Sequence, residues 1–426
     1  MVARLTMDHD RFAVAAAALM LAIAVVLSIL LIRAPGTSDV EMFLIWGSLG
    51  RQHGIAAGYK VMVDHWPQTV LGGDRSAGGG EYPPLGFAWL TLVCIAADIA
   101  GVSHFLAYKC GLLLFSLIST GMIWWLYRSM ALAAAFQAAI ILCTSGLGYM
   151  DIVPVPFLIG ALWAMREERP VTGLLLFLVS VLLKWQPLIL APFLAVHMLK
   201  INDLPSIGRV FSQRLTWRLT AGLLAVVGCV WAAFGASPVQ AFLWALHHPY
   251  LSGNALNAAW VATFLIRLFG SPDFTFSSEI AFLTLPAVWL MPFKLVFFAL
   301  FGVVLLRFIR VERTFANCLI FGILGVVTYG IWNSAVHENH WFVAMIVAFM
   351  LAGESRTAPT YWIAILTAAM FNVNLFVFYG ITGPEVIARD VGIDLSVILS
   401  LLFVAIWFLL VRHAWSLGLT RQPAEQ

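Results

Sequence analysis

The sequence predicts an all-α polytopic membrane protein. Composition is the first reason: 62% of the residues are hydrophobic and 11% are charged, and the mean hydropathy is +0.94. Soluble domains carry about a quarter charged residues. The second reason is the recurrence of apolar runs broken by short polar stretches. The third is the placement of the basic residues, most of which edge those runs. For the same reason the net charge of +3 gives no indication of nucleic acid as a partner.

Apolar runs stand near 12–32, 104–127, 131–147, 152–165, 171–183, 187–199, 218–235, 287–309, 315–332, 340–353, 359–379 and 392–411. They predict a bundle of about 12 transmembrane helices in one integral membrane domain, 1–426. The run Phe12 to Ile32 is too long for a signal h-region and reads as a first span. Several runs fall short of the roughly 20 residues that cross a bilayer, so some are expected to be half-helices or tilted pairs. Two further apolar stretches, 83–101 and 258–270, read as external re-entrant or interfacial helices. With both non-crossing, most basic residues, from Arg4 and Arg128 to Arg356 and Arg421, fall on one side, which the positive-inside rule makes the cytoplasm. The other face then collects the unusual residues in a first external loop (34–103), a second long loop (236–286) and three short breaks. The core helices fill 104–235 and the C-terminal helices 287–426. The five cysteines have neither metal nor disulfide spacing and read as small buried hydrophobes.

Five motifs on the external face carry candidate chemistry. Thr37-Ser38-Asp39-Val40-Glu41 reads as a helix start, with the helix N-terminus expected to keep Asp39 ionised. Such a carboxylate suits a general base for a lipid-linked substrate, and also suits an ordinary capped interfacial helix. Glu81-Tyr82-Pro83-Pro84-Leu85 follows a glycine run and starts an apolar helix. Lys184-Trp185-Gln186-Pro187 interrupts an apolar run and offers a cation to an anionic headgroup, where a snorkelling lysine is the plainer alternative. His337-Glu338-Asn339-His340 has its histidines three apart, so it is not the zinc-protease motif. With no third ligand evident, no cofactor is expected and a divalent metal is not favoured. His247-His248-Pro249-Tyr250 precedes Ser252 to Trp260, where Asn254, Asn257 and Trp260 suit sugar hydroxyls and rings, or equally a capped turn.

The order of these motifs resembles the GT-C glycosyltransferases over about residues 12–380. The nearest pattern is that of the dolichyl-phosphate-glucose glucosyltransferases, and polyprenyl- and dolichyl-phosphate-mannose enzymes share parts of it. The resemblance implies that Asp39 is the catalytic aspartate. It also implies that Glu41, Glu81, Tyr82, Asp151, Lys184, Gln186, Asn254, Asn257, Trp260, His337, Glu338 and His340 meet substrate. Asn339 departs from it, since the eukaryotic enzymes usually carry lysine there. No counterpart of the soluble C-terminal domain of oligosaccharyltransferases is expected. The implied activity is inverting transfer of glucose or mannose from a polyprenyl-phosphate donor to a glycan or glycolipid acceptor. The implied location is a bacterial inner membrane facing the periplasm, or the endoplasmic reticulum facing the lumen. Lys184, His337 and His340 or Arg267 are expected to neutralise the leaving phosphate. Glu41 lies two residues on from Asp39 and so points roughly 200° away. A transporter or flippase of polyprenyl-linked glycans is the alternative, and a passive glycolipid binder a third class. No internal repeat supports the transporter.

Overall fold

The computed structural model describes residues 2–69, 80–248, 250–270, 287–383 and 394–419. The fold is all-α, with one two-residue strand pair. The helices are α1 (Val2–Leu30), α2 (Ser38–His53), α3 (Ile55–Thr69), α4 (Pro84–Ala100), α5 (His104–Tyr127), α6 (Met130–Ile141), α7 (Val155–Arg166), α8 (Pro170–Leu183) and α9 (Ala191–Met198). They continue as α10 (Leu204–Val210), α11 (Arg214–Phe234), α12 (Ser237–Leu246), α13 (Ala258–Gly270), α14 (Ala287–Ile309), α15 (Phe315–Trp332), α16 (Phe342–Ser355), α17 (Ala358–Tyr379) and α18 (Leu395–Ser416). Among the described residues, 7 helices are long and apolar enough to cross a membrane: α1 from Phe12, α5, α11, α14, α15, α17 and α18. Shorter helices stand at the other five runs: α6, α7, α8, α9 and α16.

The core sits around α15 and α16, whose faces are buried almost all round. α15 packs against α14, α16 and α18; α7 packs against α8, α1 against α6, and α2 against α4. A helix that is apolar on every face must be enclosed by other helices or by lipid. α11 has the opposite character, with a single buried residue, Leu219. All five cysteines are free.

Polar contacts sort into two ends. At one end, Arg356 donates to the Tyr127 carbonyl, Arg166 pairs with Glu354, and Arg307 donates to the Trp415 and Leu417 carbonyls. These join the last turns of α5, α7, α14, α16 and α18. At the other end, the Gly36 and Thr37 amides reach Thr382 and Leu147, and strand Ser252–Gly253 pairs in parallel with Val336–His337. The loops that the sequence assigns to the external face are therefore knitted together.

Breaks after two helices shape that second end. α6 widens into a π-helical turn, Leu142–Gly146, the sort of irregularity often found beside functional sites. Buried Lys109 of α5 satisfies two carbonyls there, at 2.6 Å from Ser145 O and 3.2 Å from Gly146 O. Gly148 then turns with φ +76, and a Cβ there would meet Val40 Cγ2 at 2.6 Å, so only glycine fits. α8 stops at Lys184, which is extended, and Pro187 restarts the chain in a 3₁₀ turn.

Candidate functional site

Six segments converge at this end: the start of α2, residues 81–83, the turn 149–152, the break 184–186, the segment 248–257 and the turn 337–341. Lys184 and Asp151 lie at its base. Their ion pair is 2.6 Å long, and the side chains are 4% and 3% exposed. Asn339 Nδ2 donates to the same Asp151 oxygen at 3.3 Å. The ammonium also stands 5.4 Å from the centre of the Tyr82 ring. Tyr82 packs against Phe43 and Trp46 and is held from behind by the Tyr59 hydroxyl, which donates to its carbonyl at 2.9 Å. Lys184 is thus a buried, paired cation rather than the free one that the sequence suggests. An unpaired ammonium would not persist at this depth.

Asp39 stands in the first turn of α2, two residues beyond the Thr37 N-cap. Burial pushes its pKa up to about 6, against the Lys184 ammonium and with help from the charges of Asp151 and Glu81. Desolvation and two neighbouring carboxylates thus raise a group that the helix N-terminus is expected to hold ionised, and a pKa of about 6 still leaves Asp39 mostly ionised at pH 7. Among the described residues no side chain donates a hydrogen bond to Asp39. A base poised near neutral pH and not tied up is well matched to proton abstraction.

Glu338 is the opposite kind of carboxylate. It is buried, and its pKa is pushed up to about 8 by burial and by the charge of Asp39. Tyr149 donates to its Oε1 at 2.5 Å, and Asn374 donates to its backbone carbonyl at 3.0 Å. Burial pushes His337 down to about 4, and it holds His340 well below its ordinary value. Both imidazoles are therefore neutral at pH 7, which corrects their expected role as positive charges for a phosphate. His340 Nδ1 takes the His337 backbone amide and meets the Tyr329 hydroxyl, each at 3.2 Å.

Glu81 closes the site on its far side. One of its oxygens lies 2.6 Å from His248 Nε2, and Trp185 Nε1 donates to its backbone carbonyl at 2.7 Å. Burial raises the Glu81 pKa, but His248, His337 and Lys184 outweigh burial and hold the carboxylate below its usual range. The Tyr250 hydroxyl meets His337 Nε2.

The structure therefore brings together Asp39, Glu81, Tyr82, Asp151, Lys184, His337, Glu338 and His340. Others of the expected residues have different tasks. Asn257 caps α13, accepting from the Trp260 amide at 2.8 Å and donating to Gly330 O at 3.1 Å. Trp260 is fully buried, with its indole on Ser396 at 2.8 Å. Both brace the bundle, because capping and indole burial use up the groups a sugar would need. Asn254 adopts φ 57 and reaches the Tyr379 hydroxyl at 3.1 Å, behind Tyr149. Gln186 opens the 3₁₀ turn after the break. Glu41 is exposed and lines a separate shallow groove with Leu44, Ile45 and Gln52. Sequence reasoning left Tyr149 and Asn374 out of the site, and it marked the motif holding His248 and Tyr250 without giving either residue a role. The Tyr149 and Glu338 pair joins residues 189 apart, and only tertiary packing reveals it. Comparison with known proteins adds no relative: no family model matches the chain, and no curated protein sequence matches it.

Proposed function

We propose that the protein is an inverting glycosyltransferase that moves a hexose, glucose or mannose, from a polyprenyl-phosphate donor to a lipid-linked or surface glycan. The observation that carries the reading is Asp39: a carboxylate with pKa about 6, to which no side chain among the described residues donates a hydrogen bond, near a buried Lys184 and a Glu338 whose pKa is pushed up to about 8. In the reaction Asp39 takes the proton of the acceptor hydroxyl. The acceptor oxygen attacks the anomeric carbon, and polyprenyl phosphate leaves with the bonding electrons. Direct displacement inverts the centre. Protonated Glu338 donates a hydrogen bond and keeps a second negative charge away from the base. The Tyr82 ring stands beside the ammonium, and buried Phe43 and Trp46 hold it there from behind.

In this reading α6, α7, α8, α9 and α16 also cross the membrane, which makes about twelve crossings, while α4 and α13 do not. Support comes from α4. Its last turn bonds His104 through Asp98, at 2.9 Å. One turn further on, Tyr108 donates to Gly148 O beside the site, at 2.7 Å. These contacts support an α4 that starts and finishes on the side bearing the cluster, which the proposal assigns to the periplasm or the lumen.

Incubating the purified protein with a panel of polyprenyl-phosphate hexoses and a glycolipid acceptor tests the proposal. Polyprenyl phosphate release with one hexose is the expected result. Movement of intact lipid-linked sugar across proteoliposomes without release would favour a flippase and overturn the transferase.

A further inference from the structure

We infer that Glu81, His248 and His337 form a binding site for a divalent transition-metal ion of the zinc class, and that the ion takes a phosphate oxygen of the donor. The second half rests on the function proposed above; the first does not. One oxygen of Glu81 and one ring nitrogen of each histidine all lie within 4.8 Å of one another. Two imidazoles and one carboxylate are a common ligand set of catalytic zinc, which leaves a fourth position open. In a tetrahedral site with metal–ligand bonds near 2.0–2.1 Å, ligand atoms sit roughly 3.3 Å apart. Small side-chain rotations therefore close the triad around an ion.

Three further observations point the same way. Glu81 Oε2 is buried and lies 2.6 Å from His248 Nε2, which holds the carboxylate by hydrogen bond and charge. The two groups are thus already brought face to face, as two ligands of one ion would be. Tyr250 packs 5.0 Å from the His248 ring and 5.5 Å from the His337 ring, and its hydroxyl meets His337 Nε2, so both rings are held in orientation. Partners of this sort fix ring direction at metal centres.

Charge supplies the third. Among the described residues of the cluster, the carboxylates of Asp39, Glu81 and Asp151 face a single ammonium, Lys184, which Asp151 already engages. An anionic donor entering such a cavity meets excess negative charge. A divalent ion on the Glu81 side would relieve it and hold the phosphate. The third ligand that the sequence could not supply for His337 thus comes from Glu81 and His248, residues remote from it in the chain.

The test uses the full chain in detergent, stripped with EDTA and titrated with zinc alone. Bound metal is read by mass spectrometry after gel filtration, and unfolding temperature by circular dichroism. We expect about one tightly held zinc per chain and a zinc-dependent rise in unfolding temperature. Glu81→Gln and His248→Gln should each lower zinc affinity at least about 10-fold. His104→Ala, which changes an exposed histidine outside the triad, should leave it unchanged. Equal zinc binding by wild type and both site variants overturns the site. Should a variant fail to fold, the wild type decides alone: no zinc-dependent rise overturns it. In a second arm, polyprenyl-phosphate hexose should tighten zinc binding, by linkage. No tightening overturns the phosphate contact and leaves the metal site standing.

Discussion

Removing the ammonium of Lys184 strands a buried carboxylate. In Lys184→Met, Asp151, at 3% exposure, loses its counter-charge and keeps the Asn339 amide at 3.3 Å and a backbone hydrogen bond. Breaking one side of a buried ion pair costs about 3–5 kcal/mol. Asp151→Asn leaves Lys184 without its counter-charge and should cost a similar amount, softened by the Tyr82 ring at 5.4 Å. The double variant removes both charges, while the new amide still accepts from Asn339, so much of the loss should return. The expected coupling is about 2–4 kcal/mol in unfolding free energy, measured in one detergent for all four proteins. Additivity within about 0.5 kcal/mol would refute the pairing. Turnover separates structure from chemistry. The double variant should regain stability yet stay about 10- to 100-fold slow, since a charge-assisted contact contributes about 1.5–3 kcal/mol.

The remaining predictions are these. Turnover should rise with pH through about 6, because Asp39 works only after losing its proton, and fall through about 8, where Glu338 loses its own and adds a negative charge beside the base. A profile flat from pH 5 to 9 would contradict both assignments. Tyr149→Phe removes the 2.5 Å hydrogen bond to Glu338; since that bond opposes the upward shift, the falling limb should move to higher pH, and an unmoved limb would count against Glu338. In a cysteine-free background, exposed Gln52→Cys should react with an impermeant thiol reagent from outside and exposed Glu167→Cys should not; the reverse pattern would invert the topology.

Much of the all-α bundle was legible in the sequence, because long apolar runs report directly on helices that must be enclosed by other helices or by lipid. Helix length was legible too, since the short runs at 152–165 and 340–353 became the short helices α7 and α16, whereas the π-helical turn at the end of α6 was not. Lys184, Asp151 and the His337 to His340 turn stood out because ionisable groups rarely interrupt apolar sequence without partners. Their charge states did not follow, because burial and neighbours 33 to 189 residues away set them. Asn257 and Trp260 misled for a physical reason: an asparagine that caps a helix and one that binds a sugar carry the same donors and acceptors. Glu41, expected to meet substrate, instead stands exposed beside a separate groove, as its position two residues on from Asp39 along a helix allows.

Release of polyprenyl phosphate by wild type and by Asp39→Asn, each purified and given the same polyprenyl-phosphate hexose and acceptor, tests the central claim most directly. The substitution keeps size and removes the proton acceptor. Turnover lower by about 100-fold or more, with donor binding near wild type, is the predicted result. An Asp39→Asn protein that turns over at the wild-type rate, or a wild type that releases no polyprenyl phosphate from any donor, would contradict the account.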